Sequence, residues 1–133
     1  MSYYHSAVIK NRNFDEALTL VKETLQNAGF GIPSEINMSE IFKNKLDVDF
    51  RKYVILGACS PSSALTAVQS EKNIGVLLPC SVVVQEHENG EIEVAAVDPI
   101  ASMMAVKNNT VQSIAIEIGR KLEQVIDDVS VSK

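Results

Sequence analysis

The residues of this chain best suited to chemistry are its two cysteines, Cys59 and Cys80. Cys59 closes the apolar run 53–58 (YVILGA) and precedes Ser60-Pro61, a strong helix start. Serine caps orphan amides, and proline at the first helical position lacks the amide that would go unpaired. A sulfur placed there lies near unpaired amides and the positive end of the helix dipole, which favours thiolate over thiol. Cys80 follows Leu77-Leu78-Pro79, where the proline must bend or bulge an extended segment. Two sulfurs at irregular ends of neighbouring strands are expected to face one another at the rim of a sheet. Glu35 and Asp98, also at strand ends, could join them. Two thiolates with one carboxylate or histidine bind zinc, copper(I) or a thiol-seeking ligand. Glu35, if buried beside Asp98, would become a proton-transfer group. The bland alternative is that both cysteines pack as small buried hydrophobes, the commonest fate of a free cysteine.

Other chemistry finds less footing. Cys59-Ser60-Pro61-Ser62 has the Cys-x-x-Ser form of single-thiol redox proteins, and Pro79 precedes a hairpin as the active-site proline does there. A thioredoxin-like domain needs a further strand and helix between the two, however, and residues 72–78 are too few. His5 and His87 lack metal-ligand spacing to either cysteine, and Met103-Met104 reads as core filling. Gly29-Phe30-Gly31 precedes a strand instead of opening a helix, so it is no phosphate loop, and neither Gly-x-Ser-x-Gly nor His-Glu-x-x-His occurs.

Composition narrows the partners. Lys plus Arg number 12 against 17 Asp plus Glu, a net charge of -5, and there is no tryptophan. No basic patch is available for nucleic acid or for an anionic membrane surface. No apolar run approaches the roughly 18 residues of a membrane span, and the string MSYYHSAVIKNRNF lacks a charged-then-apolar signal, so the expected location is cytoplasmic. Two cysteines cannot make a disulfide scaffold or a four-thiolate zinc finger. With 133 residues and no linker, one domain spanning 1–133 is expected.

The elements that must position these residues follow from pattern. Residues 3–9 read as a strand. Asn13 three residues before Glu16 resembles a capping box, opening a helix with Phe14, Leu18, Val21, Leu25 and Ala28 on one face and Gly29 at its end. Residues 31–38 alternate, with Ile32, Ile36 and Met38 on one face, and Pro33 marks an edge or a start. Ser39 is expected to cap a short helix to Leu46. The run 53–58 is a central buried strand, followed by a helix to about Glu71. Residues 74–78 and 82–86 form one extended stretch interrupted by Pro79, Asn89-Gly90 turns the chain, and 91–97 returns antiparallel. Asp98 caps a short helical segment, and Val111, Ile114, Ala115, Ile118, Leu122, Val125, Ile126 and Val129 stripe a long last helix. The predicted class is α+β: a two-layer, mostly antiparallel sheet with helices on one face. Such a sheet leaves a face uncovered, and Val82-Val83-Val84 would expose apolar side chains on it, so a homodimer is expected.

The strings YVILGAC with Ser60-Pro61, IGVLLPC with Ser81 and Val82-Val83-Val84, the Asp98-Pro99 pair, and Glu35-Ile36-Asn37 together resemble the domain of unknown function 302 family over about residues 3–128. The resemblance implies a TBP-like β-α-β4-α fold and dimers, and no established activity. It carries over Glu35, Cys59, Pro61, Pro79, Cys80, Asp98 and Pro99 as positions of interest. Two departures stand out. Ser60 and Ser81 stand where the family usually has asparagine after each cysteine, and Asn37 stands where it has aspartate. Three readings result. The leading one is a small ligand or soft metal held by Cys59 and Cys80, with Glu35, Ser60, Ser81 and Asp98 around them. The others are a thiol-dependent redox enzyme and a non-catalytic domain with packed cysteines.

Overall fold

The structure, a computed structural model, describes residues 2–131. In chain order the elements are β1 (Tyr4–Ile9), α1 (Phe14–Asn27), β2 (Gly31–Asn37), α2 (Met38–Leu46), β3 (Tyr53–Cys59), α3 (Pro61–Ser70), β4 (Cys80–Glu86), β5 (Ile92–Val97), α4 (Pro99–Ser102) and α5 (Asn109–Val131). Among the described residues the strands form one antiparallel sheet in the order β1-β5-β4-β3-β2. With the short helices α2, α3 and α4 set aside, the chain reads β-α-β4-α, the expected arrangement.

Side-chain alternation divides the sheet. Val54, Leu56 and Ala58 of β3 share a face with Val84, Val82 and Cys80 of β4 and with Val94 and Ala96 of β5. That face is buried under α1 and α5, through Phe14, Ala17, Val21 and Leu25 of the first and Ile118, Leu122, Val125, Ile126 and Val129 of the second. The i, i+3, i+4, i+7 spacing of these positions lets each helix lay one stripe on the sheet. A smaller cluster of Ala67, Ile74, Met103, Val111 and Ala115 adjoins the main core where α3, α4 and the start of α5 meet.

Local signals act as predicted at several ends. Asn13 accepts from the Glu16 amide at 2.8 Å while Glu16 accepts from the Asn13 amide at 2.9 Å, a complete capping box. Gly29, at φ +93°, follows α1 in the left-handed region, and the Phe30 amide reaches back to the Leu25 carbonyl at 3.0 Å. Gly90, at φ +87°, turns the β4–β5 hairpin, and Asp98 accepts from the Ile100 amide at 2.9 Å to start α4.

Four local expectations are corrected. Residues 74–77 form a 3-10 turn, and β4 begins only at Cys80, after a cis Leu78–Pro79 peptide. A register shift between Gly31 and Ser34 separates Ile32, which packs against the main core, from Ile36, which stays on the outer face opposite Ile55; Met38 belongs to α2. The α2 cap is Asn37, whose side chain accepts from the Glu40 amide at 3.1 Å. Ser39 instead donates to the Arg51 carbonyl at 2.7 Å and accepts from the Tyr53 amide at 2.8 Å, pinning the 47–52 loop to β3. Ser60 makes no cap hydrogen bond to α3; its hydroxyl lies 3.4 Å from that of Ser63.

Candidate functional site

β3 delivers its last residue, Cys59, to the start of α3, and β4 begins with Cys80 opposite Ala58. The two sulfur-bearing residues are therefore one position out of register on adjacent strands. Strict alternation would send them to opposite faces, but β3 ends at Cys59 and the chain turns there into α3. Both residues line the same cavity of about 30 Å³. It lies at the seam of the two apolar clusters, roofed by Ala64 and Ala67 of α3 and walled by Ile118 of α5 and Met103. A water-sized sphere needs roughly 10–15 Å³ of such space, and small-molecule pockets run to roughly 300–1,000 Å³. In this conformation the cavity admits an ion or about two waters.

Backbone close approach shapes this rim. A Cβ on Gly57 would lie 2.2 Å from Ser34 Oγ and 2.6 Å from Pro79 Cγ, so the glycine lets the Pro79 ring close over β3 just before Cys80. Pro99 is buried against α5, where a Cβ on Gly119 would meet its Cδ at 3.6 Å. The two prolines thus hold the start of β4 and the end of β5 around the cavity, which both line.

Electrostatics distinguishes the thiols. Both cysteines are free, Cys59 half-buried and Cys80 buried at 8% exposure. Burial pushes the Cys80 thiol from 9.0 up to about 11, and the neighbouring Cys59 sulfur adds to it. Cys80 is accordingly a neutral thiol at physiological pH unless a cation displaces its proton.

Of the six residues expected to form the site, three line the cavity: Cys59, Ser60 and Cys80. The other three lie elsewhere. Glu35 is level with Leu56 in the sheet, whereas Cys59 is level with Gly31, a separation of about 10 Å along a strand rising ~3.3 Å per residue. Its carboxylate pairs with Lys22 of α1. Ser81 is opposite Gly57, on the outer face. Asp98 falls level with Cys80 if the β4–β5 register is continued, yet both its oxygens are engaged outside the cavity, one by the Ile100 amide and one 3.8 Å from His5 Nε2. Glu35 and Asp98 therefore do not form a carboxyl pair, being held on opposite sides of the sheet order. His87 is turned to Glu93 at 2.8 Å. Among the described residues, no group of three or more His, Cys, Asp or Glu could hold a metal ion.

Nothing in the sequence marked the cavity's remaining walls as part of a site. Ser63 and Ala64 sit one helical turn into α3, and Val111, Ala115 and Ile118 sit on the first half of α5. The α5 residues were legible only as an apolar stripe and Met103 only as one of a methionine pair, which the fold splits: Met103 is buried at 4% exposure and lines the cavity, while Met104 is 68% exposed.

Comparison with known proteins agrees with this architecture. No curated protein matches the chain. A solved structure described as the crystal structure of an uncharacterized conserved protein DUF302 from Bacillus stearothermophilus superposes with a TM-score of 0.86 at 24% sequence identity, covering 96% of this chain and 98% of that one. At that identity the likeness speaks for the fold. The family model for the Domain of unknown function DUF302 matches residues 5–129, nearly the whole chain with the two cysteine strings inside it, and the chain belongs to that family.

Proposed function

We propose that this chain is a small cytoplasmic binding domain of one unit over residues 1–133, working as a homodimer, whose site is the cavity lined by Cys59 and Cys80. The observation that carries the reading is the convergence of both thiols on one small cavity from two different strands. Neither sulfur is tied up in a disulfide, which suits a reducing compartment. The volume of about 30 Å³ favours a bare ion or a very small ligand over an organic substrate. A thiol redox enzyme would have to work through Cys59, the half-buried thiol at the start of α3, since burial pushes the Cys80 thiol away from ionisation.

One observation favours a second reading. Cys80 belongs to the main apolar cluster, as a residue that merely packs would. Native mass spectrometry of the freshly purified protein separates the two. Binding predicts an additional ion or small-molecule mass on the wild type that is missing from a folded Cys59→Ala, Cys80→Ala double variant. An unliganded wild type, or a double variant that keeps the same added mass, would assign the cysteines to packing.

A further inference from the structure

Three sulfur-bearing side chains, and no carboxylate or imidazole, line the cavity: Cys59, Cys80 and Met103. They come from the end of β3, the start of β4 and the residue just after α4, so nothing in local sequence spacing announces the group. We propose that the cavity is a site for a soft monovalent cation, with Cu(I) its biological ligand, held by the two cysteine sulfurs and the Met103 thioether. The proposal rests on the reading of this cavity as the binding site and names its ligand class.

Two features argue for that ion over zinc. Structural Zn²⁺ is almost always four-coordinate, drawing on thiolate, imidazole and carboxylate. Here no carboxylate or imidazole lines the cavity, whose oxygen-bearing side chains are the Ser60 and Ser63 hydroxyls, while Glu35 is paired with Lys22 and Asp98 with the Ile100 amide and His5. Thiolate and thioether together are a donor set that selects Cu(I), which is content with two or three sulfurs. The cavity of about 30 Å³, walled mainly by apolar side chains, has room for a dehydrated ion.

Binding also fixes the charge of the site. Each cysteine releases its proton to solvent as its sulfur binds, no electron is transferred, and two thiolates around Cu⁺ leave one negative charge. The first turn of α3 lines the same cavity through Ser60 and Ser63 and carries no side-chain cap. The positive end of that helix's dipole therefore adjoins the cavity and favours a negative charge there.

The test is an anaerobic titration of the intact protein with Cu(I) against a chromophoric Cu(I) chelator, with sulfur coordination read by X-ray absorption. The wild type is expected to hold one Cu(I) per chain with three sulfur neighbours. Met103→Leu keeps the packing volume and should weaken Cu(I) by at least the roughly tenfold that loss of an outer-shell partner alone costs, and lower the sulfur count to two. Met104→Leu should change neither readout. A Cys59→Ser, Cys80→Ser variant, shown folded by circular dichroism, should lose the ion, and Zn²⁺ in excess should not displace it from the wild type. Wild-type affinity and sulfur count surviving Met103→Leu would overturn the three-sulfur site while leaving the cysteine cavity as a binding site. Failure of the wild type to retain Cu(I) would overturn the proposal outright; the native mass spectrum then judges the broader reading by whether another ligand is lost with the cysteines.

Discussion

At the scale of single residues, the two cysteines are alike in sequence and unlike in their surroundings. Cys80 is enclosed by the main core and its thiol is raised from 9.0 to about 11, whereas Cys59 stands half-buried at the rim. A pKa raised by two powers of ten in acidity leaves roughly 100-fold less thiolate near neutral pH, and thiolate is the species that alkylates. Cys80 in the native protein should therefore react with iodoacetamide at pH 8 at least about 100-fold more slowly than in the urea-unfolded chain, as read by mass spectrometry of digests. Equal rates would show that the thiol is not buried. The same shift sets a pH dependence of stability. Below pH 9 both folded and unfolded chains keep the Cys80 proton, so it contributes no slope. Between 9.0 and about 11 the unfolded chain sheds it first, and the native state loses on the order of 2–3 kcal/mol across that window. Urea denaturation at neutral and alkaline pH should show this loss in the wild type and a shallower one in Cys80→Ala.

At the scale of elements, the site is made by where strands stop. β3 ends at Cys59 and β4 cannot start before Cys80, because Leu77 closes a 3-10 turn and Pro79 lacks the amide a ladder residue needs. Gly57 makes this junction possible by admitting the Pro79 ring against β3. In Gly57→Ala the new methyl would overlap backbone-anchored ring atoms and Ser34 Oγ together. We expect a loss of about 1–3 kcal/mol in chemical denaturation, as overpacking costs in a filled interior. Ser34→Ala in the same chain should restore only part of it, since the Pro79 contact at 2.6 Å remains. Full rescue would mean that the serine, and not the proline, closes the junction. Capping shows the same dependence on neighbours. Asn13 and Ser60 both precede helices, yet only Asn13 has a glutamate three residues on to complete a box.

At the scale of the whole molecule, all the core-forming helices lie on one face of the sheet. The outer face carries Ile36, Ile55, Val83 and Ala95 in one row across four adjacent strands, with Ile36 41% exposed. Pro33 and the register shift beside it blunt β2, an edge strand that would otherwise invite pairing with another chain. The outer face, with its apolar row, is the surface that a second copy would cover in the proposed homodimer. Light scattering at micromolar concentration should give the mass of two chains, and Ile55→Arg should give that of one with unchanged circular dichroism. A monomeric wild type would refute the arrangement. Among the described residues no helix is long and apolar enough to cross a membrane.

The chain's sequence by itself determined the α+β class, the order of strands and helices, and most of their ends. Periodicities of two and 3.6 residues, the Asn13–Glu16 box, Gly29, Gly90 and Asp98 all act over three or four residues and need no distant partner. It also marked the strings around Cys59 and Cys80, whose prolines and glycine constrain the backbone locally. Tertiary structure alone decided the rest, because the deciding contacts join residues far apart in the chain. Ser39 is drawn from its expected cap by Arg51 and Tyr53, and Glu35 is drawn to Lys22. Pairing of Ala58 with Cys80 and the packing of α3, α4 and α5 place Cys59, Cys80 and Met103 around one small cavity, while the same sheet alternation sends Ser81 to the opposite face.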